Sequence, residues 1–316
     1  MKRLTAGLLV GLASAAIVLG LDLLLKGIDQ GRGLNLLATI ELKTYDWRLR
    51  NTARPDEARK DLVLVEIDEY SLRNLQRAAG RWPWPRAVHS MLLDYLARAP
   101  ARLIAYDVNF AEADTRRGFD FGDGTWSGAE SDQALIDSVR NAGNVILLAD
   151  ATYEANEGAR PALPDNGIRL GAPGVPERRV IFPPFEALAR AGSSLGHNLF
   201  VLDPDGPIRH TLPFVRSGAR VLPSLGVAAA LRAANVDPRK VSLDGTTLRL
   251  GDREMPLSIR SVRTSAGTTS YLWGLINFRG PALLEDLKRR TYPSYSFSDL
   301  EYSEEQILAG QKPAID

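Results

Sequence analysis

The sequence predicts an α/β fold with a mixed, partly parallel sheet and helical crossovers, preceded by an N-terminal transmembrane helix. Three observations carry that expectation. An uncharged run, Leu4 to Leu21, follows the basic start Met1-Lys2-Arg3. Short runs rich in Val, Ile and Leu then alternate with stretches of helical spacing between residues 62 and 149. Beyond residue 180 the pattern changes to extended runs broken by strong turn signals.

The apolar run resumes after Asp22 with Leu23-Leu24-Leu25. Residues 4–25 would reach roughly 33 Å as a helix, enough for a hydrocarbon core of about 30 Å. Lys2 and Arg3 favour a cytoplasmic tip at 1–3, which puts the bulk of the chain outside. A cleaved signal peptide fits less well. The small residues Ala13-Ser14-Ala15 come early, and more apolar residues follow. The expected location is the inner (cell) membrane, single-pass, with a periplasmic or extracellular body.

Residues 33–60 read as a juxtamembrane helix, Leu34 to Leu49, and a polar linker broken by Pro55. Leu62 to Ile67 reads as a buried strand, short and apolar. Asp68, three residues before Ser71, is placed to cap the helix that follows. Pro83 and Pro85 in Gly80-Arg81-Trp82-Pro83-Trp84-Pro85 stop that helix. Arg86 to Ala99 is the next helix, with Val88, Met91, Leu92, Tyr95 and Leu96 at helical spacing. Leu103 to Val108 and Asn144 to Ala149 are strands, and Ser131 to Asn141 is the helix between them. Strand and helix in alternation favour parallel strands with crossovers. Thr152 to Val180 is a polar loop or insertion.

Leu195 to Val201 and Ile208 to Val215 form extended runs around Asp203-Pro204-Asp205-Gly206-Pro207. Pro223 to Ala234 reads as a helix. Asp244-Gly245 marks a hairpin between Val241–Leu243 and Thr247–Leu250. Leu275 to Phe278 reads as a further short strand, and no closing strand is expected before Asp316. Residues 61–316 make up the body.

Composition narrows the function. The formal net charge of +1 and scattered basic residues give no reason to expect a nucleic-acid partner. The absence of cysteine excludes a disulfide framework, a thiolate metal site and a thiol nucleophile. His89, His197 and His210 are the whole histidine complement. No Gly-x-Ser-x-Gly, His-Glu-x-x-His or phosphate-binding glycine loop is present, and the aspartates at 114, 120 and 123 miss the calcium-loop spacing. No metal or other cofactor is expected.

A set of short segments, in order along the chain, resembles the CHASE2 family of extracytoplasmic sensor domains. They are Tyr45-Asp46-Trp47-Arg48-Leu49-Arg50, Leu64-Val65-Glu66-Ile67-Asp68, Gly80-Arg81-Trp82-Pro83-Trp84-Pro85-Arg86 and Tyr106-Asp107-Val108. Gly196-His197-Asn198, Asp203 to Arg209, Pro223-Ser224-Leu225, Ile276 to Gly280 and Tyr295-Ser296-Phe297 continue the set. The resemblance implies a receptor in which further membrane helices join the sensor to a cytoplasmic cyclase or kinase, and it implies a homodimer. Those helices and the output domain are not in this sequence.

The candidate residues fall into two groups. Asp68 and Asp107 end strands that could lie side by side, and the carboxyl ends of parallel strands are where open α/β sheets take ligands. The plainer reading makes Asp68 a helix cap and gives Asp107 to loop amides or to Arg86. Trp82, Trp84 and Arg86 form a rigid aromatic loop, a ligand wall or a plug for the end of the core. Tyr45, Asp46, Trp47, Arg48 and Arg50 lie where a signal would pass between body and membrane, with Asp46 and Arg50 spaced as an i,i+4 pair. The expected function is sensing of an unknown small-molecule or envelope signal, with the bilayer as partner through residues 4–25. The alternatives are a non-signalling envelope scaffold and an extracytoplasmic hydrolase.

Overall fold

The computed structural model describes residues 2–28, 36–99, 101–153, 162–171, 174–203, 205–264, 267–285 and 288–315. Two long helices, α1 (Lys2–Ile28) and α2 (Leu36–Thr52), lead into β1 (Leu64–Glu66), α3 (Glu69–Asn74), the single turn α4 (Gln76–Ala79) and α5 (Arg86–Arg98). Then come β2 (Ile104–Tyr106), the hairpin β3 (Phe119–Phe121) and β4 (Gly124–Trp126), α6 (Gly128–Ala142), β5 (Val145–Leu148), α7 (Glu186–Ala191) and β6 (Ser194–Gly196). The second half holds β7 (His210–Thr211), β8 (Phe214–Ser217), β9 (Arg220–Pro223), α8 (Leu225–Ala233), β10 (Val241–Asp244), β11 (Thr247–Leu250) and β12 (Arg253–Pro256). It ends with β13 (Ser258–Thr264), β14 (Gly267–Leu275), β15 (Leu283–Leu284), β16 (Arg289–Arg290), β17 (Ser294–Ser296) and α9 (Phe297–Leu308).

The fold is α/β, with several small sheets in place of one large one. β2, β5 and β6 form a parallel three-stranded sheet in that order. All four residues of β5 are buried, so both faces are covered. Helices α5 and α6 share one core with this sheet, through Val88, Leu92, Leu93, Leu135 and Val139. α8 packs on the same sheet, and its first turn lies close to β6. A Cβ on Gly196 would fall 2.7 Å from the Leu225 Cα, so only glycine permits that approach.

Local chemistry explains the helix boundaries. Asp68 caps α3 and Ser224 caps α8, each through a side-chain oxygen accepting a free backbone amide. α6 begins earlier than expected because Ser127 and Glu130 form a reciprocal capping box, and it ends at Gly143 in the left-handed conformation. Arg86 to Arg98 is helical because its apolar residues repeat at helical spacing behind Pro85.

Four expectations are corrected. The strand expected at 62–67 shrinks to β1 and is not buried: Leu62, Val63 and Leu64 are each about half exposed. β1 pairs with a single strand, so it sits at a sheet edge. Its partner is β17, in parallel register with Val65 opposite Tyr295, and not β2. The runs around Asp203 do not pair with each other, because β6 joins the parallel sheet while β7 joins β14. Leu275 ends β14, and residues 276–278 form no strand. The C-terminal residues supply both β17 and α9, and α9 packs against α5 and α3.

The side chains of α1 that are described, residues 7–21 with 23 and 24, are largely exposed and mostly apolar. Among the described residues no helix is long and apolar enough to cross a membrane. The expected span of 4–25 includes side chains at 4–6, 22 and 25 that lie outside the described residues, as do residues 33–35 of the juxtamembrane segment.

Candidate functional site

The three parallel strands each lead, at their carboxyl ends, to a polar residue: Asp107 after β2, Asp150 after β5 and Asn198 after β6. Burial pushes the Asp107 carboxyl above its ordinary value, Asp150 adds to the rise, and a hydrogen bond from Asn198 opposes it. Asp150 is anchored at its base. Its Oδ1 accepts from the Thr152 amide at 2.8 Å and hydroxyl at 2.6 Å, and its backbone exchanges bonds with Phe182. Next to Asn198, His197 is fully buried. It is held neutral, with its pKa pushed down to about 3 by burial and then by Arg178, and its Nδ1 accepts the Leu199 amide at 3.1 Å. His197 Nε2 and Asn198 Oδ1 have no hydrogen-bond partner among the described residues. Two carboxylates and an amide at the open end of a parallel sheet can receive a cationic or hydrogen-bond-donating group. Among the described residues no group of three or more His, Asp or Glu is arranged to hold a metal.

The other ligand candidates do not gather there. Asp68 and Asp107 end strands of different sheets. Burial pushes the Asp68 carboxyl up, but the Ser71 amide and the Ser71 and Ser296 hydroxyls outweigh it and hold the group below its ordinary value. Each of those donors lies 2.8 Å from Oδ1, so Asp68 ties α3 to β17. Trp84 is buried against Phe297 with ring centres 5.1 Å apart. Trp82 stands edge-on to it at 5.1 Å and remains partly exposed. The aromatic loop therefore plugs the core. Arg86 donates to the Glu112 carbonyl at 2.7 Å and pairs with Asp132 and Asp114, not with Asp107.

The juxtamembrane candidates come together with residues far along the chain. Thr39, Leu42, Tyr45, Asp46 and Leu49 are the half-buried positions among the described side chains of α2 and share one face. Asp46 receives two bonds of 2.7 Å from the guanidinium of Arg209, through Nε and Nη2. The expected pair with Arg50 is thus not formed, because Asp46 faces the body and Arg50 is exposed. Arg209 is 2% exposed. It also donates to Asp205 at 2.7 and 2.9 Å and to Asp203 at 3.1 Å. Asp203 in turn holds Arg260 at 2.5 Å and lies 3.2 Å from His210, while Lys43 of α2 reaches Asp205 at 3.3 Å. Three carboxylates thus meet three cations.

The electrostatics follow. Hydrogen bonds donated to Asp46 and Asp205 raise the Arg209 pKa further above its ordinary value. Arg209 holds the Asp46 carboxyl below its usual range and brings Asp205 down to about 2. Burial, and then Arg260, lowers the His210 pKa. Beside the ion pairs, the Tyr45 hydroxyl donates to the Ile276 carbonyl at 3.4 Å, and the Ile276 amide donates to the Arg209 carbonyl at 2.9 Å. α2 therefore grips the end of the β7–β14 ladder. Trp47 and Arg48 are exposed and take no part in this contact.

Sequence reasoning missed Arg209, Asp150 and Asn198 as site residues. The signal for Asp150 was present, since the run Val145 to Ala149 ends in an aspartate just as the runs before Asp68 and Asp107 do.

Residues 15–312 match the CHASE2 domain, and the chain belongs to that family. CHASE2 domains are extracytoplasmic sensors and not catalytic domains. No curated protein and no solved structure matches the chain.

Proposed function

We propose that this chain is the signal-receiving part of a membrane-anchored receptor, in which α2 carries the state of the body to α1 in the bilayer. The bidentate Asp46–Arg209 contact supports this most directly, because it joins α2 to a buried charge of the body. A buried arginine with three carboxylate partners has few alternative positions, so displacement of the 203–209 turn moves α2 with it. A stimulus acts by binding two positions of α2 unequally. Residues 4–25 serve as the anchor, residues 1–3 as the cytoplasmic tip, and a cyclase or kinase joined to a dimer of this chain as the output.

The cysteine-free sequence permits a clean test. Lys240→Cys places one thiol on an exposed turn of the body. An impermeant maleimide should label it in intact spheroplasts; labelling that needs lysis would sink the extracytoplasmic reading. With a second thiol at Trp47→Cys, spin labels should report a single distance between α2 and the body. Arg209→Gln should broaden it, and an unchanged distance would end the relay reading.

A further inference from the structure

The seam between α2 and the body holds one more feature. Tyr45, Leu49 and Thr52 stand on one face of α2, spaced to meet a chain running alongside. That chain is 276–280: Tyr45 meets Ile276, and at the far end Gly280 lies against Pro55. A Cβ on Gly280 would come within 2.8 Å of the Pro55 Cγ, so the chain closes down there only because the residue is glycine. Between these two contacts the seam opens into a cavity of about 250 Å³, lined by Leu49, Thr52, Arg54, Glu57, Phe278 and Arg279, among others.

Its charges are unbalanced. Arg54 donates to Glu57 at 2.8 Å. Arg279 has no hydrogen bond or ion pair among the described residues. Two cations and one carboxylate leave a single positive charge on the wall. A guanidinium presents a planar fork that matches a carboxylate. The C-terminal end of α2, with its partial negative charge, lies beside the cavity, so the grip on an anion falls to Arg279. Leu49 and Phe278 supply an apolar side. The space is about that of eight liquid waters.

We propose that this cavity binds a small, singly charged organic carboxylate, gripped by Arg279 and seated between α2 and residues 277–279. A doubly charged phosphate would exceed the charge of the wall and meet Glu57. Binding itself is independent of the relay; its effect on signalling rests on the relay reading above, because a ligand here touches α2 and the body at once.

The test is thermal unfolding of the full chain in detergent micelles. Acetate, lactate and glutamate would each be compared with chloride at matched ionic strength, with inorganic phosphate as a separate arm. At least one carboxylate, at up to about 10 mM, should raise Tm by about 2–4 °C. Arg279→Gln should abolish the rise, Arg279→Lys should reduce it, and Arg239→Gln, at an exposed turn elsewhere, should leave it intact. Absence of a rise with every carboxylate, a rise that survives Arg279→Gln, or a larger response to phosphate would each overturn the proposal. A rise that depends on Arg279 without a change in the distance from position 47 to 240 would uphold the site and remove its link to the relay.

Discussion

The strand-end cluster and the α2 junction are both built from carboxylates that the fold collects from distant segments, yet they are electrostatic opposites. At the junction Asp46, Asp203 and Asp205 are matched by Arg209, Arg260 and Lys43. At the strand ends burial and then Asp150 make Asp107 harder to ionise, and among the described residues the donors to the pair are amides and a hydroxyl. A balanced, buried network fixes geometry; an unbalanced one leaves charge for something from outside to neutralise. The first is the joint of the proposed relay; the second leaves its charge unbalanced at the open end of the sheet.

The largest break in this comparison comes from Arg209→Gln. It would leave three carboxylates without their shared cation, and unfolding by urea should show a loss of about 3–5 kcal/mol. Retention of full stability would mean that the network is not the joint described. Asp46→Asn removes one partner from the half-buried side of α2, so about 1–2 kcal/mol should be lost, with greater exposure of α2 to hydrogen exchange.

Asp107→Asn should have the smallest effect and the opposite sign: a gain of up to about 1 kcal/mol at neutral pH, fading in acid. The signs follow from the shifts. Asp107 has a raised folded-state pKa, so its ionisation weakens the fold as pH climbs through that value. Asp46 and Asp205 have depressed values, so their contribution is present above the unfolded carboxylate range and is lost as pH falls, toward about 2 for Asp205. Acid titration of the variants against the parent chain would sharpen the contrast. An Asp107→Asn chain less stable than the parent at pH 7 would show that the carboxylate is already paired.

Local features were legible in the residues. The prolines flanking Trp84, the helical spacing of Val88, Leu92 and Tyr95, the cap at Asp68 and the turn at Asp244-Gly245 all act between near neighbours, and all stand where spacing placed them. Partners across the chain were not legible. Asp46 was assigned to Arg50 because periodicity reports only the residue one turn away, whereas its true partner is 163 positions distant. Leu62 to Leu64 looked like core because an apolar run does not say whether a helix covers it. Of the five α2 candidates Tyr45 and Asp46 face the body while Trp47, Arg48 and Arg50 are exposed, and spacing could not separate them without the distant partners.

The pairing of β1 with β17 has a consequence for how the molecule is made. Asp68 and Ser296, 228 positions apart, meet in one hydrogen bond, and Ser71 bonds with the same segment. Contacts of such separation form late, because the loop they close must be ordered first. During synthesis the leading edge of the body waits, with Leu62 to Leu64 uncovered and β1 unpaired, until the last strand arrives. The stretch of time between those events is when this chain is most open to proteolysis and to pairing with the wrong edge.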